Sequence, residues 1–225
     1  MKQIKLAVVI PFHGKVTLNF SLHLAKLLSN TSVPTEVIVS RHYNIDKARQ
    51  RGVDNAIDSG FTHILFIDSD IMPYTYKNNQ FIPFYNAIDY MLSFNYPIVS
   101  GLYISKKDMR PAVYDYTNEN IPFKPTDKKF EDFVNKISFV DGIGLGFCLI
   151  DTIVFDILEK SGYYPFFEYK TDYEKKIEIS EDLDFCLKLK RCGFSIMLLG
   201  QICCMHIATM GLLPNGMIQY LSLSD

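Results

Sequence analysis

The chain has 225 residues, 48% hydrophobic and 14% aromatic, with 23 lysines and arginines against 25 aspartates and glutamates. That balance suits one folded domain with a sizeable core and excludes a disordered or collagenous chain. A net charge of −2 also argues against a protein that neutralises nucleic-acid phosphates with a basic face.

Taken in chain order, Leu6–Ile10, Glu36–Ser40 and Ile64–Ile67 are apolar strand-like runs. They are separated by amphipathic segments at Leu18–Leu28 and Ile45–Ile57. This βαβαβ alternation predicts strands buried on both faces, hence a mainly parallel sheet with helices on each side and ligands bound beyond the strands' carboxyl ends. Phe81, Phe84, Tyr85, Ile88, Met91 and Leu92 recur at helical spacing and predict one helix face, followed by a strand at Pro97–Tyr103. The segment 106–136, rich in Pro, Lys and Asp, reads as a substrate-side insertion with a short strand at Ala112–Tyr116. Core composition resumes at Ile137–Asp151, then a helix at Thr152–Lys160. The aromatic and charged stretch Tyr163–Ser180 reads as a mobile loop. Ser180 is placed to cap a helix at Glu181–Cys192, stopped by Gly193, and a strand at Phe194–Leu199 follows.

The five cysteines, Cys148, Cys186, Cys192, Cys203 and Cys204, are odd in number and contain no C-x-x-C, so most read as buried thiols, with a Cys186–Cys192 or Cys203-mediated bridge as the alternative. Leu6–Phe12 is too short and too interrupted by Pro11 for a secretory signal, and no run reaches the roughly 18 apolar residues of a membrane span. The expected location is the cytoplasm, with peripheral attachment to a membrane left open.

Candidate chemistry begins at Phe66-Ile67-Asp68-Ser69-Asp70, two carboxylates at the end of an apolar strand. In a strand, i and i+2 side chains share a face, and two such carboxylates hold Mg²⁺ or Mn²⁺ while substrate phosphates complete the shell. Strand-end Asp and Ser are equally ordinary turn formers. Glu181-Asp182 opens the late helix, where a carboxylate serves either as general base or as a favourable helix-terminal charge. His206 stands in the apolar run Ile202–Ile207 and reads as a ligand or as a core histidine.

These residues resemble the nucleotide-sugar-dependent glycosyltransferases of the GT-A fold, family two in particular, over about Leu6–His206. Leu6-Ala7-Val8-Val9-Ile10-Pro11-Phe12-His13 is similar to the family's opening strand. Ala48-Arg49-Gln50-Arg51-Gly52 with Ala56, Gly60 and Ile64–Asp70 follows its "A-R-N-x-G... D-S-D" run. The resemblance implies one GT-A domain over 1–225: a nucleotide-sugar-binding half at 1–103, an acceptor and catalytic half at 104–206, and a tail at 207–225. It places Pro11, Phe12, His13, Arg41, Arg49, Asp68 and Ser69 at the donor, and Gly144 and Gly146 on the acceptor side. Asp182 matches the general base and Glu181 its acceptor-side neighbour, while Asp68, Asp70 and His206 match the metal site for Mn²⁺ or Mg²⁺. Ser40-Arg41-His42-Tyr43-Asn44 stands where many members carry base-reading acidic residues, and Gln50 replaces the usual Asn.

The implied activity is transfer of a monosaccharide from a nucleoside diphosphate sugar to the hydroxyl of a saccharide, lipid-linked or protein acceptor, with inversion by single displacement. A second copy of the chain is a candidate partner; nucleic acid is not. Two alternatives are a haloacid-dehalogenase-type phosphohydrolase with Asp68 as nucleophile and a non-catalytic nucleotide-sugar or carbohydrate-binding module. The first normally carries its D-x-D on the first strand, whereas here the motif ends the third apolar run.

Overall fold

The computed structural model describes residues 3–12, 16–106, 108–172 and 177–207, with the backbone of 211–212 and 218–219. Strand β1 (Leu6–Phe12), helix α1 (Leu18–Ser29), β2 (Thr35–Arg41), α2 (Ile45–Asp58) and β3 (His63–Ile67) form the expected βαβαβ unit, with β1 parallel to both β2 and β3. Both faces of β1 are buried: Leu6, Val8 and Ile10 share a core with Phe20 and Leu27 of α1, and Ala7 and Val9 share another with Val53 and Ala56 of α2. Thr17 caps α1 by accepting from the Phe20 amide at 3.1 Å. Gly52 lets α2 lie close to β1, since a Cβ there would fall 2.3 Å from Val9 Cγ1.

The helix anticipated across Phe81–Leu92 is two elements. Strands β4 (Ile71–Lys77) and β5 (Gln80–Pro83) pair as an antiparallel hairpin, and only Ala87–Leu92 forms a helix, α3. Pro83 has no amide to donate to a helix and drives the residue before it toward extended backbone, so the apolar spacing of Phe81 and Phe84 is satisfied from a strand end. Strand β6 (Ile98–Tyr103) follows.

The insertion contributes β7 (Val113–Tyr116), β8 (Phe123–Pro125) and a single turn of helix, α4 (Phe130–Phe133). Next come β9 (Ile137–Val140), β10 (Gly142–Ile143), β11 (Phe147–Asp151) and α5 (Ile153–Lys160). The short strands β12 (Lys170–Asp172) and β13 (Ile177–Ile179) precede α6 (Glu181–Arg191) and β14 (Ile196–His206). The central path β2-β1-β3-β11-β6-β14 belongs to an 11-stranded sheet; along that path β11 alone opposes its neighbours, and β9 and β4 pair antiparallel with β14 beside it. Smaller antiparallel sheets, β10-β7-β8 and β12-β13, lie beside it. The tail pairs through β15 (Gly211–Leu212) onto β14 and through β16 (Ile218–Gln219) onto β15.

Two further differences from the sequence reading bear on the site. The stretch expected as a mobile loop is anchored over its first half: Phe166 and Phe167 are buried against Phe155 and Phe185, and the Lys188 ammonium donates to the Pro165 carbonyl at 2.8 Å and the Phe166 carbonyl at 3.2 Å. Strand β14, expected to stop at Leu199, continues to His206 through a register shift between Leu199 and Cys203. Gly200 sits in that shift, where a Cβ would fall 1.8 Å from the Phe133 carbonyl oxygen. The extension pairs with β4 and sets His206 directly opposite Ile71, the residue after Asp70.

All five cysteines are free thiols, four of them buried. Among the described residues no helix is long and apolar enough to cross a membrane.

Candidate functional site

Side chains from the carboxyl ends of β3, β6 and β14 and the start of α6 come together at one place beyond the sheet, where an open α/β sheet binds its ligands. Arg49, from the first turns of α2, is 3% exposed and lies at its centre. Its Nη2 donates to both Asp68 carboxylate oxygens, at 3.1 and 3.2 Å, and its Nη1 donates to Glu181 Oε1. Burial alone would lower the Arg49 pKa, but Asp68, Glu181 and Asp182 outweigh it and hold the guanidinium above its ordinary value. Burial, reinforced by Asp182 and Asp68, raises Glu181 above the usual carboxylate range despite Arg49. Burial likewise raises Asp68. Arg49 Nε is buried with no hydrogen-bond partner among the described residues.

Asp70 belongs to a second group. Its Oδ2 accepts from Lys106 Nζ at 2.5 Å and lies 3.4 Å from His206 Nε2. Partial burial works to raise the Asp70 pKa, and the hydrogen bonds of His206 and Lys106 overcome it, bringing it down to about 2. The opposite nitrogen of His206, Nδ1, is 3.1 Å from the Ile104 carbonyl, so the ring is held between that carbonyl and the Asp70 carboxylate. The Ile207 amide donates to the Asp70 carbonyl at 2.6 Å, which ties the end of β14 to the turn after β3.

Tyr103, the last residue of β6, joins the two groups. Its hydroxyl accepts from the Gly146 amide at 3.3 Å, and its ring meets His206 edge-on at 5.7 Å between centroids. Burial, with Asp68 and Asp182 nearby, raises the phenol well above its ordinary pKa, so it stays protonated. Gly144 and Gly146 have no room for side chains. A Cβ on Gly144 would fall 2.0 Å from Tyr103 Oη and 3.4 Å from Asp182 Oδ2, and one on Gly146 would fall 3.2 Å from Asp68 Oδ2. Asp182 Oδ1 is taken by the Ser180 hydroxyl and, at 3.0 Å, by the Leu183 amide, so Ser180 spends its hydroxyl on Asp182 instead of capping α6.

At the strand ends on the other side, buried Pro11 and half-buried Phe12 pair with Ser40 and Arg41, and the Arg41 guanidinium lies 5.4 Å over the Phe12 ring. Ser69 is half-buried between the two aspartates. His13 lies outside the described residues.

Of the residues singled out in the sequence, Arg49, Asp68, Glu181, Asp182, Gly144 and Gly146 thus gather around Arg49 and Tyr103, while Asp70 and His206 gather with Lys106. Among the described residues no group of three or more His, Cys, Asp or Glu side chains takes a metal-holding arrangement. The side chains that could supply a divalent ion are the Asp70 carboxylate, whose Oδ2 also accepts from Lys106, the imidazole of His206, and the Asp68 carboxylate, both of whose oxygens accept from Arg49. Sequence reasoning missed Tyr103 and Lys106; the one available signal for Tyr103 was its place at the carboxyl end of a predicted strand.

No family model and no curated protein matches the sequence. The fold is similar to the crystal structure of A197 from STIV, with a TM-score of 0.61 and 20% identity, covering 96% of this chain and 94% of that chain. A lower likeness is to UDP-glucose pyrophosphorylase complexed with UDP-glucose, with a TM-score of 0.49 and 7% identity over 89% of this chain and 91% of that one. Another is to a glycosyltransferase involved in the glycosylation of the major capsid of PBCV-1, with a TM-score of 0.35 and 11% identity over 72% of this chain and 69% of that one. The first likeness shows a shared fold and nothing about activity.

Proposed function

We propose that this chain is a metal-dependent glycosyltransferase that moves a monosaccharide from a nucleoside diphosphate sugar to an acceptor hydroxyl, with inversion by single displacement. The observation that carries the reading is the convergence, beyond one end of the sheet, of Arg49, Asp68, Asp70, Glu181, Asp182 and His206, residues as far apart in sequence as α2 and the end of β14.

Asp70 and His206 fit a divalent ion of the Mn²⁺ or Mg²⁺ kind, since one carboxylate oxygen and one imidazole nitrogen leave positions for diphosphate oxygens and water. When bound, that ion would neutralise charge developing on the leaving diphosphate. The chain's own residues do the rest. Asp182 Oδ2 takes the proton from the attacking hydroxyl as the bond from its oxygen to the anomeric carbon forms and the bond to diphosphate breaks. Arg49 holds Asp68 and Glu181 in place. Phe12 and Arg41 offer a ring and a planar fork to the nucleotide. Gly144 and Gly146 let Tyr103, Asp182 and Asp68 pack against the backbone on the side where the acceptor, whether saccharide, lipid-linked or protein, would bind.

The test is calorimetry with UDP, GDP and dTDP, with and without Mn²⁺, on the wild type and Asp70→Ala. One diphosphate should bind only with metal and lose affinity in the variant, and Asp182→Asn should bind donor but lose turnover. Failure of all three diphosphates to bind overturns the reading. Binding with neither transfer nor donor hydrolysis makes the chain a nucleotide-sugar-binding module instead.

A further inference from the structure

A second cleft, of about 510 Å³, opens between the β4–β5 hairpin, α3 and the register shift of β14. Its volume lies within the range of small-molecule sites, roughly 300–1,000 Å³. Thr75 in its wall is four residues along β4 from Ile71, beside Asp70. At about 3.3 Å per residue, that puts it roughly 13 Å from the site described above.

The lining has a specific chemistry. Asn30, Asn86, Asn135 and Gln201 bring four amides to one cleft, with Tyr85 and Tyr90 beside them. Gln201 Nε2 donates to the Asn135 carbonyl at 3.1 Å, while its Oε1 is buried with no partner among the described residues. A buried acceptor left open needs an explanation. Asn86 stands immediately before α3 yet makes no cap hydrogen bond with its side chain. The backbone of Asn135 is held at φ 57°, so the chain turns there and presents the residue at the cleft wall. The rings are fixed in position: Tyr85 by His23 at 5.0 Å and by Lys26 Nζ at 5.4 Å, and Tyr90 by Phe84 at 5.6 Å and Phe94 at 5.2 Å. No carboxylate lines the cleft.

We infer that this cleft is a non-catalytic binding site for a neutral oligosaccharide. Each sugar hydroxyl both donates and accepts, which matches amides that carry both functions, and the apolar faces of a pyranose suit fixed tyrosine rings with polar tips. An anionic ligand would find one lysine and no arginine in the lining.

Ligand-observed saturation-transfer NMR on the full chain, with α-linked glucose, α-linked mannose and β-linked N-acetylglucosamine trisaccharides as probes, tests this. One trisaccharide should bind, with at least tenfold weaker affinity in Asn86→Ala/Gln201→Met and unchanged affinity in Asp70→Ala. Folding of the double variant is checked by its unchanged circular dichroism spectrum, and Asn86→Ala alone, which removes no core packing, should show part of the loss. No signal from any probe, or binding lost in Asp70→Ala and kept in the double variant, overturns the inference. Nucleoside diphosphate binding in the same variants reports on the catalytic site separately.

Discussion

Replacing Arg49 with Met removes the one cation shared by two carboxylates in a site with little water. The Arg49 and Glu181 side chains are 3% and 5% exposed, whereas Asp68 is 27% exposed and can rehydrate. Breaking a buried pair by deleting one partner costs up to about 3–5 kcal/mol, because the remaining carboxylate must either stay charged without solvent or take up a proton. At roughly 2–4 °C per kcal/mol for a domain of this size, Arg49→Met should lower the midpoint of thermal unfolding by up to about 6–20 °C. Adding Glu181→Gln removes the stranded charge, so the double variant should recover about 1–3 kcal/mol relative to Arg49→Met alone. Urea unfolding of the wild type, both single variants and the double variant closes the cycle. A loss under about 1 kcal/mol for Arg49→Met, or losses that simply add, would refute the view that Glu181 is held by Arg49 in a desolvated pair.

Gly144→Ala should reduce donor and acceptor binding and cost about 1–3 kcal/mol of stability, because its Cβ would fall 2.0 Å from Tyr103 Oη. Tyr103→Phe in the same chain should restore part of both, as measured by calorimetry and urea midpoints. His23, whose Nε2 donates to the Pro73 carbonyl at 3.2 Å, is lowered by burial to about 4 from 6.5. Between those values the unfolded chain binds a proton that the folded chain does not, so its contribution to stability is complete above pH 6.5 and falls as the pH drops toward 4. His23→Gln should flatten that slope in pH-dependent unfolding, with a remainder from His63, which burial also lowers. Gly200→Ala should destabilise more than Gly144→Ala, since the atom it meets at 1.8 Å is the Phe133 carbonyl oxygen, which cannot swing aside. A urea midpoint equal to wild type would show that the shift in β14 tolerates a side chain.

Local pattern determined the parts of this protein that local physics governs. Continuous apolar runs at Leu6–Ile10 and Ile64–Ile67 had to be buried on both faces, and the 3.6-residue period of α2 had to place Val53 and Ala56 against them. The D-x-D, Arg49, the Glu181-Asp182 pair and His206 were all legible as candidates for the same reason, because polar residues at strand ends and helix mouths stand out against apolar surroundings. Resemblance, not spacing, supplied their roles.

What only the tertiary structure decided depends on residues that meet across the fold. Period alone could not separate Phe81 in a strand from Phe84 in the turn before a helix, since an apolar side chain at the edge of either element is satisfied by the same core. Nothing in Leu199–Cys203 announced that the strand would shift register at Gly200 and carry His206 to Asp70; the shift follows from the approach of the Phe133 carbonyl, more than 60 residues away in sequence. The partition of Asp68 to Arg49 and of Asp70 to Lys106 and His206 is likewise a tertiary result. Two carboxylates two residues apart are chemically equivalent along the chain, and only the partners that the sheet, α2 and the turn after β6 bring to each one make them different.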